Sequence, residues 1–180
     1  MIRLGRTKRK RFTVLQGRAN LSRELPRLPG LEESFAFVTE GGFASVSFIL
    51  RVAEQSPITD LYASTFRVGK KEIRALAALR ERGRLERAAF LLSGVSQDDK
   101  RRDAGQFDLL VETCARYGWR WKSEHQHSKV FLMHTEDGAY YVLETSSNLN
   151  ENPRIEQFRF ENDEALYTFY RDNLFERYLH

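Results

Sequence analysis

The stretch Ala88-Ala89-Phe90-Leu91-Leu92-Ser93-Gly94-Val95 is apolar almost without a break, and its reading decides the fold class. A strand with one wet face alternates apolar and polar side chains. A strand buried on both faces does not, and such runs belong inside a parallel or mixed sheet covered on both sides. Working outward, Lys70–Arg82 carries Ile73, Leu76 and Leu79 at helical spacing and stops at Gly83. Before it, Ile58–Ser64 reads as a buried strand, preceded by Pro57. Phe43, Val46, Leu50 and Ala53 mark one face of an earlier helix, and Phe35–Thr39 is a short strand ahead of Gly41-Gly42.

On the other side, polar Ser96–Arg102 leads into a helix around Phe107–Tyr117 that ends at Gly118, and then into a strand over Trp119–Glu124. Lys129–Thr135 and Ala139–Glu144 flank Glu136-Asp137-Gly138. Asp-Gly between apolar runs signals a hairpin. A strand near Glu156–Phe160 and a closing helix over Asp163–Tyr178 complete the chain. Strands alternating with helices, followed by a hairpin, predict an α/β fold: a mixed β-sheet flanked by helices on both faces. Residues 1–30 read as a basic arm with one short apolar piece, Phe12–Leu15. Residues 31–180 read as the folded domain.

The chain has 180 residues, net charge +4 and a single cysteine. No apolar run approaches the roughly 18–20 residues that span a bilayer, and no signal-peptide core is present, so a cytoplasmic protein without membrane contact is expected. Cys114 alone closes no internal disulfide and builds no cysteine metal site. It lies on an apolar helix face, as a core residue does. No acid precedes Glu24, whereas Arg3, Arg6, Lys8, Arg9, Lys10 and Arg11 all do. Such an arm is either a phosphate contact for nucleic acid or a solvated tail.

Chemistry concentrates in His127-Ser128-Lys129, and then, beyond the hairpin, in Thr145-Ser146-Ser147-Asn148-Leu149-Asn150 and Glu156. His127 and Lys129 are two apart at a strand start and share a face. An imidazole beside an ammonium favours an anion, and the cation makes the neutral, nucleophilic imidazole easier to populate. Ser146 and Asn148, again two apart, add hydrogen-bond donors, and Glu156 is available to orient an imidazole. Plainer readings stand beside these: a surface His and Lys, a Ser/Asn turn, and a surface carboxylate. His125 reads as solvent-facing, His134 as packed, and Trp119 and Trp121 as sheet packing. No third ligand accompanies a His127/His134 metal pair.

These residues resemble the His-x-Lys and Ser-x-Asn-x-Asn elements of the phospholipase D superfamily, with Glu156 as the later acidic residue. His134 stands where that family commonly has Asp, and Thr145 where it has Gly before the Ser. The resemblance, extended over roughly residues 35–178, implies a phospholipase D-like fold. It also implies a metal-independent phosphodiesterase without cofactor, which passes through a phosphohistidine. His127, Lys129, Ser146, Asn148 and Glu156 would be the catalytic group. One motif per chain implies a homodimer, and the basic arm favours a nuclease acting on DNA in preference to RNA. The alternative is a catalytically inactive nucleic-acid-binding or assembly module on the same scaffold.

Overall fold

The computed structural model describes residues 9–15, 21–39, 44–94, 105–150 and 154–180. Eight strands form one sheet: β1 (Arg9–Leu15), β2 (Glu33–Thr39), β3 (Ile58–Thr65), β4 (Leu85–Ser93), β5 (Arg120–Glu124), β6 (Val130–Thr135), β7 (Tyr140–Thr145) and β8 (Glu156–Asn162). Their order is β1-β2-β8-β7-β6-β3-β4-β5. The pairs β1/β2, β3/β4 and β4/β5 are parallel, and the four central pairings are antiparallel. The sheet is therefore mixed, as the chain's strand–helix alternation predicts.

Helices cover both faces. On one side lie α2 (Ser45–Gln55), α3 (Lys70–Glu81) and α4 (Gln106–Tyr117), with the short α1 (Leu21–Glu24) against α2. Phe48 of α2 stacks on Phe158 at 4.9 Å and meets Phe160 edge-on at 5.5 Å. On the other side, α5 (Glu164–Tyr170) continues into a π-helical segment, Arg171–Glu176, whose Phe175 is fully buried with Leu91, Val130, Leu132, Val142 and Tyr167. The two-sided cover explains the unbroken apolar run of β4. Phe90 and Leu92 enter the first core and Leu91 the second. Each such fully buried side chain contributes roughly 1.5–3 kcal/mol.

Local signals act where they are expected. Gly118 ends α4 in the left-handed region, at φ 69°. Gly138 does the same at the β6–β7 turn, at φ 83°, where Thr135 Oγ1 donates to Asp137 at 2.6 Å. Asp163 caps α5 by accepting from the Leu166 N–H at 2.9 Å. Trp119 packs against Phe90 and Tyr117, Trp121 against Phe107, and Cys114 is buried in the core.

Two elements differ from expectation. The closing helix is α-helical only to Tyr170. In the wider turns beyond it, Phe175 is buried and Glu176 meets both Tyr62 (2.8 Å) and Arg120 (2.7 Å). Within the first thirty residues, Arg9–Leu15 is a sheet strand, pairing in parallel with β2 from Arg9/Glu33 to Leu15/Thr39. No helix among the described residues is long and apolar enough to cross a membrane.

Candidate functional site

The strand directions bring several ends to one rim of the sheet. The ends of β2, β3, β4, β5 and β7 meet the starts of β6 and β8 there. Ligands of open α/β sheets gather at such carboxyl ends. The linker 125–129 crosses this rim from β5 to β6 and carries His127 and Lys129.

Gln126 holds that linker. Its Nε2 donates to the carbonyls of Thr65 (2.9 Å) and Leu91 (3.2 Å), at the ends of β3 and β4. Its Oε1 accepts from Ser128 Oγ (2.8 Å) and Ser64 Oγ (3.2 Å). Both ends of one amide are thus used to set the backbone on either side of His127. No periodicity or motif in the sequence marks this residue, because its partners come from distant strands.

His127 is exposed, with its ring 5.0 Å from that of Phe66. Lys129 Nζ lies 3.1 Å from His127 Nδ1 and donates to the His127 carbonyl at 2.8 Å. An ammonium has no lone pair, so in that contact the ring nitrogen facing it is the acceptor. Partial burial holds the Lys129 pKa below its ordinary value, and the nearby Glu156 charge opposes that shift.

The second half of the site comes from the β7–β8 connection. Ser146 Oγ donates to the buried Glu156 carboxylate and accepts from the Gln157 N–H at 3.1 Å. Glu156 therefore secures the Ser146 hydroxyl, while Lys129 faces the His127 ring. Asn148 Oδ1 accepts from the Phe66 N–H at 3.2 Å, tying this loop to the residue against which His127 packs. An amide whose oxygen is engaged in this way presents its NH₂ as donor. Thr145, where Gly is usual in the resembling family, turns its hydroxyl to local use. It donates to the Gln157 carbonyl (2.8 Å) and accepts from the Ser147 N–H (2.9 Å).

His127, Lys129 and Ser146 border one open groove of about 1190 Å³. From them the groove runs over β8 and β2 to Phe12 of β1, with Phe169 and Tyr170 as its far wall. Other candidates lie elsewhere. His134 is at the opposite end of β6, stacked on Tyr140 at 4.4 Å and hydrogen-bonded to Thr59 at 3.0 Å. His125 is exposed. Arg11 lies over the Phe35 ring, 5.5 Å from its centre, on the α2 side of the sheet, whereas Lys10 alternates to the groove side with Phe12. Arg3, Arg6, Lys8 and the segment 100–102 lie outside the described residues. Among the described residues, no group of three or more His, Cys, Asp or Glu side chains could hold a metal ion.

No protein-family model matches the chain, and no curated protein matches it. Solved structures do. The crystal structure of polyphosphate kinase from Porphyromonas gingivalis aligns at a TM-score of 0.57 with 17% identity, covering 83% of this chain and 27% of the kinase. TrmBL2, described as an archaeal chromatin protein, aligns at 0.48 with 8% identity over 79% of this chain and 51% of its own. A yeast tyrosyl-DNA phosphodiesterase mutant aligns at 0.37, with 8% identity over 58% of this chain and 24% of its own. The chain thus spans about a quarter of the kinase and half of TrmBL2. Polyphosphate kinase is a phospholipase D superfamily member. The likeness to the kinase, with a TM-score above one half, carries the fold: a mixed eight-stranded sheet with helices on both faces, of the phospholipase D-like kind.

Proposed function

We propose that this protein is a metal-independent phosphodiesterase, a nuclease that acts through a phosphohistidine in a homodimer with one motif per chain. The observation that supports this best is convergence. His127 and Lys129 precede the β6–β7 hairpin and Ser146 follows it, yet all three border one groove, with Glu156 buried behind Ser146.

In this reading His127 attacks phosphorus. A P–N bond forms as the bond to the leaving oxygen breaks, and His127 of a second, two-fold-related subunit delivers the proton to that oxygen. Water, deprotonated by the same second imidazole, then cleaves the P–N bond and frees His127. Lys129 and the Asn148 amide stabilise the phosphoryl oxygens. Glu156 receives the single O–H of Ser146 and so fixes that side of the groove rather than leaving it a donor for phosphate. The polyphosphate kinase likeness agrees with phosphoryl chemistry at the coarse level.

A second reading, an inactive nucleic-acid-binding module, draws on Thr145, whose side chain fills the place usually held by Gly. Incubation with plasmid and single-stranded DNA in EDTA separates the two. Cleavage that His127→Ala and Lys129→Ala both abolish supports the nuclease. Binding without cleavage, shared by all three proteins, overturns it in favour of the module.

A further inference from the structure

We infer that the groove leading away from His127 is a cleft for unpaired bases, so that the substrate is a single-stranded nucleic acid whose nucleosides lie beside the bound phosphate. The inference rests on the phosphate site proposed above and adds the part of the ligand next to it.

The groove combines three features. The first is exposed aromatic surface: Phe12 is 76% and Phe169 57% exposed, and both border the same depression. Single exposed apolar residues are ordinary, but two aromatic rings in one groove beside a cationic end form a surface suited to a flat apolar ligand. The second is its floor. Ala36 and Val38 of β2 leave a shallow bed between the rings, and Tyr170 is fixed alongside by donating its hydroxyl to Glu144. The third is its rim, where Gln157 and Asn173 offer amide donors and acceptors of the kind that read base edges. A lipid tail would have no use for those amides. A duplex already stacks its bases on one another and has no free base face for Phe12 or Phe169. An unpaired strand satisfies all three features: its phosphate at Lys129, its bases on the aromatic rings, and its base edges at the amides. From β6 to β1 the groove crosses four strand spacings, roughly 19 Å, which leaves room for nucleosides beyond the phosphate.

The test is equilibrium binding in EDTA, followed by fluorescence anisotropy of a labelled oligonucleotide. The probes are the single strand, its duplex and the same strand with abasic spacers, with anionic phosphatidylglycerol vesicles in parallel. The proteins are wild type, Phe12→Ala, Phe169→Ala and the double variant, each carrying His127→Ala in the binding measurement so that no probe is cut, and each checked for an unchanged circular dichroism melt. Both side chains are exposed, so the fold should tolerate their loss. The single strand should bind more tightly than duplex or abasic strand. Each substitution should weaken single-strand binding about tenfold while leaving the abasic strand unaffected. Equal single-strand binding by wild type and double variant overturns the inference, as does a loss confined to the vesicles. Unchanged binding by the double variant, with cleavage still lost in His127→Ala, removes the cleft and leaves the phosphodiesterase standing. Ring-dependent binding with no cleavage by any protein does the reverse.

Discussion

At the residue scale the site depends on a side chain outside the His-x-Lys pattern. Gln126 spans Thr65, Leu91, Ser64 and Ser128 with one amide, so it acts by positioning His127 rather than by touching substrate. Gln126→Glu keeps the size but removes both donors and leaves two carbonyls unmatched, a cost of about 1–3 kcal/mol. We expect kcat for phosphodiester cleavage to fall at least tenfold with KM little changed. A thermal melt showing the variant still folded at the assay temperature, with a shifted kcat pH profile, distinguishes this from general destabilisation, which would lower the active fraction and leave the profile unchanged. The approach of His127 and Lys129 to Ser146 was legible because the Asp-Gly turn between β6 and β7 is a local signal that returns the chain to the same rim. Gln126 and Phe66 were not, because their roles depend on where other strands end. Cys114 shows the opposite case, in which local pattern suffices. It sits on the buried face of α4, and burial pushes its thiol up to about 12. Iodoacetamide at neutral pH should leave the native protein unlabelled and modify it only in denaturant, as mass spectrometry would register. Labelling of the native state would contradict the burial.

At the scale of elements, the sequence located strands and helices from Phe35 onward to within a few residues, because periodicity and glycine stops are local signals. It misread two. The strand β1 was obscured by Arg9-Lys10-Arg11, a run that reads as solvated until its pairing with β2 is known. The change from α- to π-helix at Arg171 leaves no composition signal, since the registration of Phe175 and Glu176 against the sheet decides it. That segment closes the second core. Phe175→Ala should lower unfolding free energy by about 3–5 kcal/mol, measured by urea denaturation. A loss under about 1 kcal/mol would mean that the segment is only loosely docked.

At the scale of the whole molecule, acid stability bears on the entry to the sheet. Glu33 opens β2 and accepts from Arg27 at 2.5 and 2.9 Å and from the Gly30 N–H at 2.9 Å. The Arg27 guanidinium holds its carboxyl down, from about 4.5 to about 2. A lowered carboxylate stabilises the fold above its unfolded value, and that contribution disappears as pH falls from about 4.5 to about 2. Glu33→Gln should therefore melt below wild type at neutral pH, with the gap closing across that window. A gap independent of pH would place the effect in packing instead. The two-sided sheet itself was legible from Ala88–Val95, but the strand order was not, because composition carries no record of which distant strands pair.

That order has a consequence for how the protein is made. On the sheet's inner side β2 pairs with β8, and Thr39 meets the carbonyl of Glu156, 117 residues later. At ordinary elongation speeds, the nascent chain carries β2 with this edge unmatched for on the order of ten seconds before β8 leaves the ribosome. During that interval Phe35 and Phe37 have no final partners from β8. The rim that assembles the candidate site must therefore wait until β8 has emerged, and in that interval the segment carrying β2 is a natural client for a chaperone.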